Sequence, residues 1–384
     1  MRKVLFVSHS AELNGAELWL LDILRRIDRS KTLPLLAVPE DGPLAVQARG
    51  AGILTAIVPM AWDLAPRGRT WRQPIARCWN RRAVSSLARL AAHDHVDVIF
   101  SNSAAMFSGA RAARRLGLPH VWAIHEILGG PRPFLEFLWG RKRLARFILS
   151  RSDRVIVNSE TTRAAFGGSE KAVLVHNGID PRQIDPGRLD ALRTELGIAR
   201  GDFVIGVIGK IYAGKGQREA LAAAALLAPK HPNLRWLIIG AVGDAAYERR
   251  IRRDIRTAGI DPKVIFTGYR PDLADLLGLT GAVVIPSIVE SFGRVALEAM
   301  ASGVPVLAVR AGGLPEIIAH GENGFLLDSR EPAEIALGVQ FLLEHPDAAA
   351  RAAAAGRKTV REKYTVDAHV RAVEAVLDGL GGRA

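Results

Sequence analysis

The sequence predicts an α/β protein made of two parallel-sheet units in tandem, on three observations. Short apolar or β-branched runs alternate with amphipathic or alanine-rich stretches along almost the whole chain. The runs are nearly continuously apolar, as parallel strands covered on both faces by right-handed crossover helices are. At 384 residues the chain is long for one core and comfortable for two.

In the first half KVLFVS, LPLLAV, ILTAIV, VDVIFSN, HVWAIHE, RVIVNS and AVLVHNG read as strands. A boundary follows near residues 178 to 190, where NGIDPRQIDPGRLD gathers Gly, Pro and Asp between periodic segments. DFVIGVIG, LRWLIIG, KVIFTG, GAVVIPS, VPVLAV and GFLLD read as strands of the second half. From Glu331 onward the chain reads as helical, rich in Ala, Glu and Arg. Ligands of such folds bind beyond the carboxyl ends of the strands, so a cleft between the two units is the expected site.

Composition narrows the class. With 49% hydrophobic and 24% charged residues the chain is a packed globular protein, not a disordered one. A single cysteine, Cys78, excludes an intrachain disulfide framework and any Cys-based zinc cluster, and fits a reducing cytosol. The N-terminal apolar run, VLFV, is too short for a signal peptide and reads as a first strand. No run approaches the roughly 18 apolar residues of a membrane span. The net charge of +13 is uneven: residues 61 to 155 hold 17 Lys and Arg against 6 Asp and Glu, which leaves only about +2 for the rest. That patch suggests an anionic partner: membrane lipid, nucleic acid or a phosphorylated substrate. A basic surface that only aids solubility also fits.

Residues 206 to 217, GVIGKIYAGKGQ, nearly form the phosphate-cradling P-loop, but Gly216 stands where a hydroxyl would hold magnesium. A strand feeds Lys210, a short loop, then Lys215 and a helix start. Glycines admit an anion to the backbone, and two lysines five residues apart can grip a diphosphate without a metal. Two solvated loop lysines would look the same. In PSIVESFGRVALEAMASGVPVLAV, Glu290 lies past a strand, and Ser291 can cap a helix over about residues 292 to 302. Glu298 follows two turns on, roughly 12 Å away, too far for paired glycosidase chemistry but suited to two hydroxyl-bearing ends of one ligand. Backbone N–H groups of Phe292, Gly293 and Arg294 between them suit phosphate oxygens. A capped, solvated helix is the plain alternative. His125, ending HVWAIHEI, can meet a reacting group at a strand mouth, although lone histidines are often structural. Ser8-His9 and the loop to Asn14-Gly15-Ala16-Glu17 make another possible anion-facing turn. The loop lacks G-x-G-x-x-G, which leaves a nicotinamide site without support.

In this order the motifs resemble the retaining glycosyltransferases of the GT-B fold, family 4. Gly209-Lys210 with Lys215-Gly216, PSIVESFGRVALEAMASGVPV, AGGLPEII and GENGFLL carry the resemblance, with Asn14-Gly15-Ala16-Glu17, HVWAIHE and VHNGID agreeing upstream. The resemblance implies two Rossmann-like domains facing an interdomain cleft. Residues 1–180 would bind the acceptor and 181–364 the nucleotide sugar, and a helix in 365–384 would cross back to the N-terminal domain. It also implies roles. Lys215 and Lys210 would hold the donor diphosphate, Glu298 the ribose and Glu290 the donor sugar, helped by the N–H groups of residues 292 to 294. His125 would lie against the transferring sugar, and Gly15 would admit the diphosphate and acceptor. No metal or cofactor is implied. Lys210 stands where arginine is more usual, which puts one bidentate phosphate contact in doubt. Asn14 replaces a common glycine, and GAVGD at 240 to 244 varies the usual glycine turn.

The implied reaction is transfer from a nucleoside diphosphate sugar, UDP before GDP, to a hydroxyl with retention. WDLAPRGRTWRQPIARCWNRR and PRPFLEFLWGRKRLARFIL interleave Arg and Lys with Trp, Phe and Leu. They favour a lipid-linked glycan acceptor in cell-envelope polysaccharide synthesis, and a cytoplasmic protein peripheral on the inner face of an anionic membrane. If those aromatics are core residues instead, the acceptor is soluble. A sugar-nucleotide epimerase would share the nucleotide site but need no acceptor. A nucleic-acid-binding protein would explain the charge but lacks a recognisable motif.

Overall fold

A computed structural model of the chain describes residues 1–66, 69–128, 135–181 and 183–380. It divides into two compact units, Met1–Gly178 together with the chain from Val366 on, and Ile179–Thr365. The divisions fall two residues before and one residue after the expected ones. Ile179 forms a parallel bridge with Thr365, and its N–H donates to the Tyr364 carbonyl at 2.9 Å, so both belong to the second unit.

The first unit opens with β1 (Arg2–Ser8), α1 (Gly15–Arg26), β2 (Thr32–Val38), α2 (Pro43–Gly50) and β3 (Leu54–Ile57). It continues through β4 (Ala65–Pro66), α3 (Gln73–His93), β5 (Val98–Asn102), α4 (Ser108–Leu116) and β6 (His120–Ile124). β7 (Leu135–Glu136), α5 (Arg141–Ser150), β8 (Arg154–Val157), α6 (Glu160–Arg163) and β9 (Ala172–Leu174) follow. Seven strands form a parallel sheet in the order β3-β2-β1-β5-β6-β8-β9, with Phe6 paired to both Leu36 and Phe100. β1 is apolar on successive residues because both faces are covered, and Val4 to Val7 are fully buried. α1 buries Trp19, Leu20, Ile23 and Leu24, a helical stripe, against this sheet. β4 and β7 were not legible in the sequence; they pair antiparallel over two residues each.

The second unit contains α7 (Pro186–Leu196), β10 (Phe203–Ile208), α8 (Gln217–Leu227), β11 (Leu234–Ile239), α9 (Ala245–Thr257), β12 (Val264–Gly268) and α10 (Leu273–Leu279). Then come β13 (Ala282–Ile285), α11 (Arg294–Ala301), β14 (Val306–Val309), α12 (Leu314–Ile317), β15 (Phe325–Leu327), α13 (Pro332–Glu344) and α14 (Pro346–Lys363). Its six parallel strands run β12-β11-β10-β13-β14-β15. One local expectation is corrected. The helix after Glu290 begins at Arg294, not at 292, and its N-cap is Gly293 (φ 114°) rather than Ser291. A Cβ at Gly293 would sit 2.6 Å from Leu314, so the chain passes that neighbour in a conformation open to glycine and α11 starts only beyond it.

After Thr365 the chain rejoins the first unit as α15 (Val366–Asp378). Val366, Val370, Val373 and Leu377 form its apolar stripe and enter the core around α1. Arg26 reaches Asp367 at 2.5 Å, and the Asp28 N–H donates to Glu374 at 2.7 Å. Burial of each such Val or Leu contributes about 1.5–3 kcal/mol, so the helix is a structural part of this unit. Among the described residues no helix is long and apolar enough to cross a membrane.

Candidate active site

Each sheet has one place where strand order reverses, between β1 and β5 in the first unit and between β10 and β13 in the second. Connections leave such a pair in opposite directions, so a crevice opens beyond the strand ends. Lys210 and Lys215 follow β10, Glu290 to Glu298 follow β13 and Gly15 follows β1, while His125 follows β6, the next strand beyond β5.

In the second unit the loops after β10 and β13 are locked together. The Ile288 N–H donates to the Gly214 carbonyl at 2.9 Å. Gly216 (φ 71°) comes so close that a Cβ would lie 2.0 Å from the Pro286 carbonyl oxygen. Across this contact the Lys215 ammonium donates to Glu290 Oε1 at 2.5 Å, and the Ser287 hydroxyl donates to the same oxygen at 2.7 Å. Lys215 is about a fifth exposed. Burial alone pulls its ammonium down, but the charges of Glu290 and Tyr212 and the hydrogen bond to Glu290 outweigh that and hold it above its ordinary value. Burial pushes the neighbouring Tyr212 phenol up. Behind Glu290, Gly313 donates its N–H to the Glu290 carbonyl at 2.9 Å.

Lys210 is exposed. Its stem passes Gly243 so closely that a Cβ there would meet Lys210 Cγ at 2.8 Å. The variant turn GAVGD thus supplies the glycine that lets the lysine lie flat. Gln217, at the start of α8, donates to the Lys210 carbonyl at 3.1 Å and fixes the loop's exit. Arg294 donates to Glu298 one turn along α11 at 3.1 Å, with both side chains partly exposed. Phe292 is a core residue, buried against Tyr364 with rings 5.8 Å apart, so its side chain is not a ligand contact.

In the first unit the arrangement rests on hydrogen bonds. Asn102, ending β5, donates from Nδ2 to the Ala16 carbonyl at 3.0 Å, which turns its Oδ1 toward His125 Nε2 at 2.7 Å. That network assigns the proton of a neutral His125 to Nε2 and leaves Nδ1 as an acceptor. Burial pulls the imidazole down to about 4 despite the Glu126 charge, so the ring is neutral near pH 7. Trp19 packs edge-on against it with ring centroids 4.7 Å apart. Glu126 clamps the loop after β5: its carboxylate accepts from the Ser103 hydroxyl and from the Ala104 N–H at 3.0 Å. Ser103 is held at φ 84°, a costly conformation for a residue with a side chain. Glu17 is buried beside His9, 3.2 Å from its Nε2, and burial raises its carboxyl against the pull of His9 and two backbone N–H groups. Gly15 is the first residue of α1, and a Cβ there would meet nothing within 4 Å.

Lys215 and Glu290 are thus direct partners, Glu298 pairs with Arg294, and His125 belongs to a separate group in the first unit. Ser287, Asn102 and Tyr212 escaped the sequence reading. Ser287 is visible afterwards in VVIPSIVE at a strand mouth, whereas Asn102 acquires its role only when β5 is placed beside β1 and β6. Of the aromatic and basic segments, residues 67–68 and 131–134 lie outside the described residues.

Comparison with known proteins places these features in a family. A model described as glycosyl transferases group 1 matches residues 190–359, and one described as glycosyltransferase family 4 matches residues 13–183. The D-inositol 3-phosphate glycosyltransferase of Corynebacterium kroppenstedtii is 37% identical over 232 residues, 57% of this chain and 51% of that protein. Its counterpart from Segniliparus rotundus is 30% identical over 286 residues, 69% of this chain and 63% of that protein. The matches therefore span about half to two thirds of the length of these relatives. The crystal structure of Anabaena HepE in complex with UDP and glucose superimposes with a TM-score of 0.83 at 27% identity, over 99% of this chain and 100% of that one. Sucrose-phosphate synthase from Thermosynechococcus elongatus shares the fold at 18% identity, with a TM-score of 0.80. With one family model on each unit and these neighbours of the same fold, the chain belongs to the group 1 glycosyltransferases of family 4 and has the GT-B fold.

Proposed function

We propose that the protein transfers a sugar from a nucleoside diphosphate donor to a hydroxyl acceptor, with retention of anomeric configuration and without a metal. The observation that carries this reading is the Lys215–Glu290 contact at the switch point of the second unit, flanked by the loop of Lys210. Lys215 keeps donors beyond the one on Glu290 for diphosphate oxygens. Glu290 accepts a donor-sugar hydroxyl, and Glu298 accepts the ribose hydroxyls. The backbone around Phe292, Gly293 and Arg294 adds N–H groups toward the phosphate, and Gly15 leaves room for donor and acceptor. The C1–O bond to the diphosphate breaks while the acceptor oxygen bonds to C1 on the same face, and the acceptor proton passes to the leaving phosphate. The protein stabilises the charge growing there and orients the partners. His125, neutral and held by Asn102, lies against the transferring sugar.

A uridine donor is favoured because HepE structures contain UDP and UDP-glucose. The basic, tryptophan-bearing segments favour a lipid-linked acceptor in cell-envelope polysaccharide synthesis, at the inner face of an anionic cytoplasmic membrane. The names of the curated relatives favour a second acceptor, a soluble phosphorylated inositol. Thermal unfolding with UDP, GDP, ADP and dTDP, each with and without EDTA, tests the donor site. A nucleotide at 100 times its dissociation constant adds about 2.7 kcal/mol, or several degrees. Stabilisation by one nucleotide, indifferent to EDTA and lost in Lys215→Ala, is expected. Stabilisation by Mg·ATP alone would return the loop to the P-loop class.

A further inference from the structure

We infer that the first unit carries a groove for the hydrocarbon chain of a phosphate-bearing lipid. This inference rests on the lipid-linked acceptor reading and gives that acceptor a site. The groove encloses about 580 Å³, within the usual 300–1,000 Å³ of small-molecule sites, and Trp62, Leu64, Trp71, Arg72, Ile75 and Trp79 form much of its wall. Trp71, Ile75 and Trp79 are each more than 60% exposed. Three large apolar side chains in one exposed place exceed the scattered apolar residues of an ordinary surface.

The groove is a built feature. Buried Asn80 of α3 makes a two-way bond to the backbone of Ala61, accepting from its N–H at 2.9 Å and donating to its carbonyl at 2.8 Å. Buried Asp63 accepts from Asn80 at 3.1 Å and from the Phe107 N–H at 2.7 Å. Gln73 donates to the Glu136 carbonyl at 2.6 Å and accepts from the Leu138 N–H at 2.8 Å. Three buried polar side chains thus pin the segment from Ala61 to Ala65, α3 and the β7 loop together, while the aromatic rings between them stay uncovered.

Charge identifies the occupant. α3 carries Arg77, Arg81, Arg82 and Arg89 and no carboxylate. Arg72, just before it, holds its guanidinium 5.6 Å from the Trp71 ring. Ile75, Trp79 and Arg82 fall at i, i+4 and i+7, so one stripe of the helix passes from apolar to cationic. A chain alone would not call for the arginines, and a free phosphate would not call for the tryptophans. A hydrocarbon ending in a phosphate matches both. The inner end of the groove lies next to the switch point: the Trp62 indole N–H donates to the His9 carbonyl at 2.9 Å, and their rings are 5.5 Å apart.

The test is calorimetric titration of the full chain with monomeric farnesyl phosphate, beside farnesol, inorganic phosphate and phosphatidylglycerol vesicles. Saturable one-to-one binding of farnesyl phosphate is expected, weaker binding of farnesol, and none of inorganic phosphate. Ile75→Glu should weaken farnesyl phosphate binding about tenfold or more, and Arg72→Gln should bring it toward the farnesol value. Absence of saturable binding, indifference to Ile75→Glu, or binding to vesicles alone would each overturn the groove, the last in favour of a flat membrane contact. Nucleotide stabilisation of the same variants reads the donor site separately. If it persists while farnesyl phosphate fails, only the groove falls; if farnesyl phosphate binds and no nucleotide stabilises, only the transferase reading falls.

Discussion

The two switch points occupy the same place in the same kind of sheet, yet they are held in different ways. In the second unit, a salt link between Lys215 and Glu290 ties two loops that also touch through backbone, at Ile288 to Gly214 and Gly216 to Pro286. In the first unit, a neutral imidazole, an amide and a helix carbonyl form a chain from His125 through Asn102 to Ala16. An ion pair braced by tight glycine turns suits a site that grips a polyanion, since the Lys215 ammonium is already held in place when the ligand enters. Neutral, fixed donors and acceptors suit a surface that orients hydroxyls, while cationic side chains of this unit lie apart from that chain, along α3. The difference can be broken at four points, in order of expected effect.

The largest effect should come from Gly312→Ala. Gly312 lies at φ 57°, and a Cβ there would fall 1.8 Å from the Glu290 carbonyl oxygen. The left-handed backbone costs a residue with a Cβ about 1–2 kcal/mol. The clash adds roughly 1–3 kcal/mol, because the obstacle is backbone rather than a flexible side chain. Urea unfolding should therefore show a loss of about 2–5 kcal/mol, accompanied by loss of nucleotide binding because Glu290 must move. A change within roughly 0.5 kcal/mol would mean that the two loops are not tightly coupled.

The next effect distinguishes the first unit by pH. Burial pulls His125 to about 4 and, likewise, His120 to about 3. An unfolded histidine titrates near 6.5, so between these values the unfolded chain binds more protons than the folded one. Stability should thus be fully present above about pH 6.5 and fall as pH drops toward 4, with His125 contributing up to about 3 kcal/mol. Denaturant midpoints from pH 4 to 8 measure this, and His125→Gln should make the profile shallower, leaving the part that His120 contributes. A His125→Gln profile as steep as the parent's would show that His125 is not desolvated. Lys215→Ala, the third break, costs less in stability, and its main effect is loss of the nucleotide response.

What was legible in the sequence follows the same division. The second site is carried by two short contiguous segments, each of which spells a strand, a loop and a helix start, so Lys215, Glu290 and Glu298 are legible in the sequence itself. Its detail did not: Ser291 looked like a cap, but the approach of Leu314 to Gly293 delays the helix by two residues. The first site is assembled from β1, β5 and β6, three segments separated by crossovers. His125 could be marked as a strand-end histidine, whereas Asn102 is an ordinary polar residue in VDVIFSN until the sheet order places it beside Ala16. Strands of four to seven residues with both faces buried announce themselves by composition. β4 and β7 do not, because two residues of pairing leave no period to detect.

The smallest expected stability change tests the site most cleanly. Gly15 begins α1 outside the left-handed region, and a Cβ there would meet nothing within 4 Å. Neither backbone conformation nor packing in the first unit demands a glycine. Gly15→Ala should leave stability within about 0.5 kcal/mol or raise it slightly, since alanine is the better helix former and has less freedom to lose on folding. If Gly15 leaves room for the donor diphosphate and acceptor, the same change must lower transfer activity or donor affinity with the fold intact. Set beside Gly312→Ala, the pair separates a glycine required by the protein from one required by a ligand. An unchanged stability with unchanged transfer would remove Gly15 from the site and leave its approach to the ligand unsupported.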